Sequence, residues 1–246
     1  MQNCVRDVKK WTIHNKLQLN EVKTEALLFD PTKSSDLPDV LRIGQSDIPF
    51  CCSARNLGVM FYNGLTMKQQ VDRICQTAYF EIRRIGSVRQ FFTTEATKIL
   101  VSSLVLSRLD YCSSLLAGIP KKIVNKVQRV MNCAARLVCK AHKREHVSPL
   151  PVDLHWLLVE RRIEYKIATI CYNVITGTAP PYLSDLLELY TPSRTLHSSA
   201  DTRIFRIPKS RKRFQGQRAF SFIGPSIWNN LPFSVRHIQT LSAFKC

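Results

Sequence analysis

Acidic residues are scarce in this chain of 246 residues: eighteen Asp and Glu stand against thirty-six Lys and Arg, a net charge of +18. With a pI near 9.8, that shortage excludes a neutral surface and directs the chain toward a polyanion, either nucleic acid or an anionic membrane face. No lipid-anchor or membrane motif accompanies the charge, which puts nucleic acid first. Long apolar runs are also missing. The most apolar stretch, residues 99–106, lies between Lys98 and Arg108 and falls far short of the ~20 residues a membrane helix needs. A soluble protein with no membrane partner is expected. Nine cysteines, odd in number and irregular in spacing, do not form a disulfide framework, and the charged residues 1–10 lack the apolar core of a secretory leader. Reduced thiols in the cytoplasm or nucleus fit. There is no internal repeat, no low-complexity tract and no nucleophile-elbow motif. Nor is there a closely spaced aspartate pair on a strand-turn-strand pattern, as two-metal chemistry needs.

What is present is the composition of a folded protein, 45% hydrophobic and 22% charged, with enough length for a buried core. Val5, Val8, Trp11 and Asn15 recur at helical spacing over the first fifteen or so residues. Residues 25–29, 40–43, 48–51 and 57–61 read as strands, and the proline- and serine-bearing stretch 30–39 as a loop. Together these predict a small antiparallel sheet with one helix against it. After Asn63-Gly64 the character changes. Thr66 can cap a helix with Val71, Ile74, Cys75, Ala78, Ile82 and Ile85 inward, and Lys68, Arg73, Arg83, Arg84 and Arg89 outward. Thr93, Thr94 and Glu95 start a second helix that runs to about Leu116. A third spans residues 121–139 with an apolar stripe. Three consecutive helices make a bundle-like unit, and Pro149 and Pro151 mark a boundary. Further helices are expected over 159–176 and 182–189, a strand at Ile204, Phe205 and Ile207, and a helix over 218–231 interrupted at Gly224-Pro225. The fold class is α+β, mostly α.

Residues 11–29 place a helix, a polar turn (Asn20-Glu21-Val22-Lys23-Thr24) and an apolar strand in series, and Asn56-Leu57-Gly58-Val59 follows. This order resembles the tail of the palm of a reverse transcriptase from LINE-type (non-LTR) retrotransposons, of the Jockey-like branch. Four later segments resemble the region downstream of the polymerase in the same proteins, in the same order. They are Ser107-Arg108-Leu109-Asp110-Tyr111-Cys112, Leu154-His155-Trp156-Leu157, Ala179-Pro180-Pro181-Tyr182-Leu183 and residues 216–232. The resemblance covers nearly the whole chain. It implies a partial palm at 1–62, a helical thumb at 63–150 and a truncated C-terminal region at 151–246. Leu158 stands where the usual proline follows His-Trp-Leu, and the C-terminal helix that continues beyond Phe244 in the family is absent. A decaying or mis-annotated genomic copy shows both features.

In the family the catalytic aspartate pair precedes the lysine-bearing turn, so the expectation is a chain that starts after its own chemistry. It would be a remnant of an RNA-directed DNA polymerase that does not polymerise on its own. It would need no cofactor, although the intact parent enzyme uses Mg²⁺. Its partners would be an RNA or DNA template–primer and the missing palm and fingers. Two alternatives are a host-adopted module that binds another protein through the helical bundle, and a polymerase part acting in trans. By the same resemblance Asn20, Lys23 and Thr24 belong to the turn whose lysine approaches the incoming triphosphate. A cation there stabilises developing negative charge, whereas without the metals Lys23 is a solvated turn lysine. Gly58 borders the primer end by resemblance, or is an ordinary bulge. Arg73, Arg84 and Arg83 either face a duplex backbone, where contacts position without reading sequence, or form an ordinary solvated helix face. Lys209-Ser210-Arg211-Lys212-Arg213 binds RNA or DNA, or serves as a nuclear localisation signal, and composition does not separate the two. Lone acids such as Asp7, Asp30 and Asp110 do not replace the missing pair. Asp110, beside Arg108, reads as a helix-contact ion pair. Cys133, Cys139, His142 and His146 fit a zinc site poorly and read as buried thiols beside a basic loop.

Overall fold

The computed structural model describes residues 2–20, 23–29, 40–43, 46–142, 144–191, 203–209 and 216–245. The chain divides into two compact units, Met1–Gln70 and Val71–Cys246. The architecture is α+β and mostly helical.

The first unit opens with α1 (Gln2–His14), followed by β1 (Ala26–Leu27), β2 (Val40–Ile43), β3 (Ser46–Cys51), β4 (Ser53–Asn56) and β5 (Val59–Tyr62). Three strands pair in the order β1-β3-β2, and β4 and β5 form a separate hairpin. The sheet is mixed, not wholly antiparallel as expected. β2 and β3 make an antiparallel hairpin whose second strand lies beside β1, so β1 and β3 run parallel, Ala26 opposite Phe50. The buried centre is small: Ala26 and Ile48, with Val5, Leu19, Leu41 and Phe50 packed against them. Of the apolar positions that recur at helical spacing on α1, Val5 packs against this centre, but Val8 is exposed and Trp11 is 60% exposed. The strand expected over 57–61 starts only at Val59, because Leu57 and Gly58 form the hairpin turn, with φ of 47° and 84°. Two successive positive φ values are what a tight hairpin turn requires, and glycine meets that demand without a steric cost. Gly58 is therefore neither a bulge nor a strand residue. The carboxamide of Gln70 accepts from Met60 N at 3.0 Å, tying this hairpin to the start of the next helix.

That helix, α2 (Lys68–Val88), begins two residues after Thr66, and Met67 just before it is left-handed with φ 55°. Val71, Cys75, Ala78 and Ile85 are buried along one face, as the 3.6-residue period requires. Then α3 (Thr94–Val101) starts as expected. Thr93 caps it by accepting from Ala96 N at 3.2 Å, and Glu95 in the first turn complements the helix dipole. The helix continues through a wide π-type turn, Ser102–Leu106, into α4 (Ser107–Asp110). It stops there rather than at Leu116, since Cys112 takes a left-handed conformation, and the chain resumes in a 3-10 turn, Ser113–Leu116. α5 (Lys121–Cys139) matches expectation, with Val127, Val130, Met131, Ala134 and Val138 fully buried.

The remaining elements are α6 (Pro149–Asp153), α7 (Val159–Ile175), α8 (Pro181–Ser184), α9 (Phe220–Asn229), α10 (Phe233–Arg236) and α11 (Leu241–Lys245). α5 packs on α3, α6 and α7, and α7 packs in turn on α9 and α11. The boundary expected near Pro149 thus lies inside the second unit. Among residues 204–207 the expected strand reduces to one antiparallel bridge, Leu189 with Phe205. The helix expected over 182–189 reduces to α8. Gly224-Pro225 does not interrupt α9. A Cβ on Gly224 would lie 3.2 Å from Cys171 Sγ, so the glycine lets α9 approach α7 closely. Pro225, inside the helix and buried, forfeits one ladder bond without ending it.

Candidate nucleic-acid interface

α2 presents the basic face. Eleven residues separate Arg73 from Arg84, three turns plus about 20°, so the two lie on one line about 16 Å apart along the axis. Phe80 falls between them on the same line, and Arg83 is turned about 100° from Arg84. Arg73, Phe80, Arg83 and Arg84 are all exposed. Among the described residues Arg73 and Arg83 have no ion-pair partner, whereas Arg84 lies with Cζ 5.7 Å from the Phe80 ring centroid. Its Nη1 also donates to Glu81 Oε2 at 3.2 Å. The other oxygen of Glu81 accepts from Arg108 Nη2, again at 3.2 Å.

Arg89, expected on this outward face, is buried instead. Its Nε and Nη2 donate to the carbonyls of Leu137 and Val138, both at 2.9 Å, and Nη1 to that of Phe92 at 2.7 Å. The last carbonyls of α5 lack intrahelical partners and carry the negative end of the helix dipole, so a planar guanidinium beside them is drawn in as a cap. Periodicity along α2 alone does not reveal this, since the attraction comes from a helix end 48 residues away.

In the first unit, Asn20, Lys23 and Thr24 share one turn. Lys23 N lies 3.1 Å from Asn20 Oδ1 and 3.2 Å from Asn20 O, and Thr24 Oγ1 donates to Asn20 O at 2.8 Å. Asn20 is thus the residue that shapes the turn, and the Lys23 side chain is exposed. Gly58 occupies a different turn, that of the β4–β5 hairpin. In the second unit Lys209 is exposed; Arg211, Lys212 and Arg213 lie outside the described residues.

The segments that carry the family resemblance are built into the second unit's packing. Asp110 accepts from Arg162 Nη1 of α7 at 2.6 Å and lies near Lys166, whose Nζ bonds the Asp110 carbonyl. It is a helix-to-helix ion pair. Trp156 is buried. Trp228 is fully buried and donates Nε1 to the carbonyl of Arg203 at 2.7 Å. Asn229 pairs both amide atoms with the backbone of Phe205 (3.0 and 2.8 Å), as a neighbouring strand would. Tyr172, Trp228 and Phe244 stack beside them. Arg218, whose pKa burial lowers, reaches back to the carbonyls of Ala117 and Leu115. A cleft of about 450 Å³ opens between α7 and α9–α11, lined by Tyr165, Ala168, Ile227 and Leu231 and rimmed by Arg161 and Glu164.

Among the described residues neither metal reading finds a donor set. Asp7 is exposed on α1, Asp110 is held by Arg162, and Asp30 lies outside the described residues. Cys133 and Cys139 are half-buried on α5, and His142 and His146 are exposed. Among the described residues no three His, Cys, Asp or Glu side chains gather to hold an ion. Burial raises the thiols of Cys75 and Cys171, to about 11 and about 12 respectively, which makes them packing groups rather than nucleophiles. Among the described residues no helix is long and apolar enough to cross a membrane. No family model, curated protein or solved structure matches the chain.

Proposed function

We propose that this chain is a remnant of a LINE-type reverse transcriptase that holds nucleic acid by its phosphates and does not polymerise on its own. On this reading the first unit is the tail of a palm, α2 to α5 are a thumb, and α2 lies along a template–primer duplex or a folded element RNA. One observation carries the binding claim. In a chain of charge +18, Arg73, Phe80 and Arg84 line up on an exposed helix face with Arg83 alongside. Arginines spaced along a helix suit a phosphate backbone, and an aromatic among them suits a base or sugar. The catalytic claim rests on the sequence, which offers no carboxylate pair for two metals.

The test is binding of a labelled RNA–DNA hybrid duplex to the full chain across a salt series. Replacing Arg73, Arg83 and Arg84 with Ala removes up to three phosphate contacts, so the log–log salt slope becomes shallower by up to about 2.7, at ~0.9 per contact. An unchanged slope in a folded variant removes α2 from the interface. For Lys209, Arg211, Lys212 and Arg213 the ceiling is about 3.6, and roughly half of that is expected. Loss of nuclear accumulation with an unchanged slope would make that cluster a localisation signal instead.

A further inference from the structure

Glu81 is the one buried carboxylate among the described residues. Its side chain is 7% exposed, yet both oxygens serve arginines that stay in solvent, Arg84 at 65% and Arg108 at 44%. A tie between helices does not require this arrangement. Arg84 sits on the same helix as Glu81, so their bond joins nothing across the bundle. Elsewhere helices are tied at Asp110, whose arginine partner is withdrawn to 20% exposure, and at Asp72, whose partner Lys126 is 35% exposed and whose carboxylate stays in solvent.

The backbone register also bears on Arg108. In an unbroken α-helix, position 108, eleven residues after Thr97, would return to within about 20° of the Thr97 face. Thr97 is fully buried. The π-type turn at Ser102–Leu106 adds one residue to the count. Thr97, Val101, Val105 and Leu109 then occupy the buried places in steps of four, and Arg108 is turned aside to meet Glu81. Such turns inside α-helices recur at functional positions. Each guanidinium has five N–H donors, and one from each is spent on Glu81. The others have no partner among the described residues. Two cations on one anion leave the trio net positive.

Resting on the nucleic-acid reading of α2, the geometry points to an Arg84–Arg108 pair that grips one backbone phosphate, with Glu81 as the residue that positions both. Two guanidinium groups bound to the two oxygens of one carboxylate sit side by side, each keeping donors for phosphate oxygens. Arg108 thereby joins the binding face from a helix that sequence periodicity assigns to the core.

Glu81→Gln decides the matter by sign. The substitution removes a negative charge, so charge alone predicts tighter binding of a polyanion. Positioning predicts weaker binding. With the full chain and a labelled RNA–DNA hybrid duplex, affinity is expected to fall roughly fivefold, the upper end for an exposed ion pair. The salt slope is expected to become shallower by about 0.9. Arg108→Lys keeps the charge and loses the fork, and is expected to fall by the same factor. It carries the decision if Glu81→Gln lowers the melting temperature. Tighter binding by folded Glu81→Gln, or wild-type affinity and slope in Arg108→Lys, overturns the pair while leaving the α2 face intact. A wild-type chain that binds no duplex overturns the nucleic-acid reading and the pair with it.

Discussion

Arg89 makes the sharpest stability prediction. Its guanidinium satisfies three carbonyls, Leu137 O and Val138 O at the end of α5 and Phe92 O beyond α2. In Arg89→Ala those acceptors lose their donors at a place water reaches poorly, costing about 1 kcal/mol for each. The helix end also loses its cation, worth about 1 kcal/mol in a partly buried setting. The sum is about 3–4 kcal/mol, and at roughly 2–4 °C per kcal/mol the second unit should melt about 10 °C lower. Arg89→Lys restores charge but not the fork, and should recover less than half. Denaturant unfolding followed by helical circular dichroism gives the energy, and amide exchange at the C-terminal turn of α5 locates it. A loss under 1 kcal/mol, or exchange unchanged in that turn, would refute the capping argument.

Purified chain with primed RNA, nucleotides and Mg²⁺ or Mn²⁺ should incorporate nothing above background; incorporation by the wild type that Lys23→Ala abolishes would overturn this. Amides across residues 25–61 should exchange early and those of the helices across 66–139 late, because the sheet of the first unit packs on a core of only Ala26 and Ile48 while Trp11 stays 60% exposed. Uniformly slow exchange would contradict it. Exposed Cys4 and Cys52 should label within minutes at pH 8, and buried Cys75 and Cys171 only on unfolding. Cys171 is raised from 9.0 to about 12, so above pH 9 the unfolded chain loses a proton that the folded chain keeps. The contribution of Cys171 to stability is therefore intact below pH 9 and falls as pH rises from there toward 12. Its Cys171→Ala variant should show a shallower alkaline decline.

Much of the second unit was legible because its helices obey one period. α5 and α7 fall where their apolar stripes lie, and Thr93 caps the helix that its hydroxyl foretells. What sequence missed was set by partners distant in the chain. Arg89 looks like an outward cation until the end of α5 is beside it. Gly224-Pro225 reads as a break, yet the glycine is there for the sulfur of Cys171. Arg108 was hidden by the π-type turn, which shifts the register that periodicity assumes constant. In the first unit the parallel pairing of β1 with β3 depends on which hairpin strand lies inside, and strand patterns carry no such direction. At the candidate site, Arg73, Arg83 and Arg84 were readable as exposed positions. The grip of Glu81 on two helices was not.

The hub position of α7 sets an order on how this protein is born. Asp110 waits for Arg162, 52 residues later, and the carbonyl of Ala117 waits for Arg218, 101 residues later. Helices α2 to α5 leave the ribosome before α7 but cannot seal one side until it follows, and α7 in turn stays partly bare until α9 and α11 arrive. Loop closure over such spans is slow relative to local helix formation. During synthesis the second unit therefore passes through a stage of formed but unsealed helices with apolar stripes exposed. At that stage chaperone capture competes with completion of the chain.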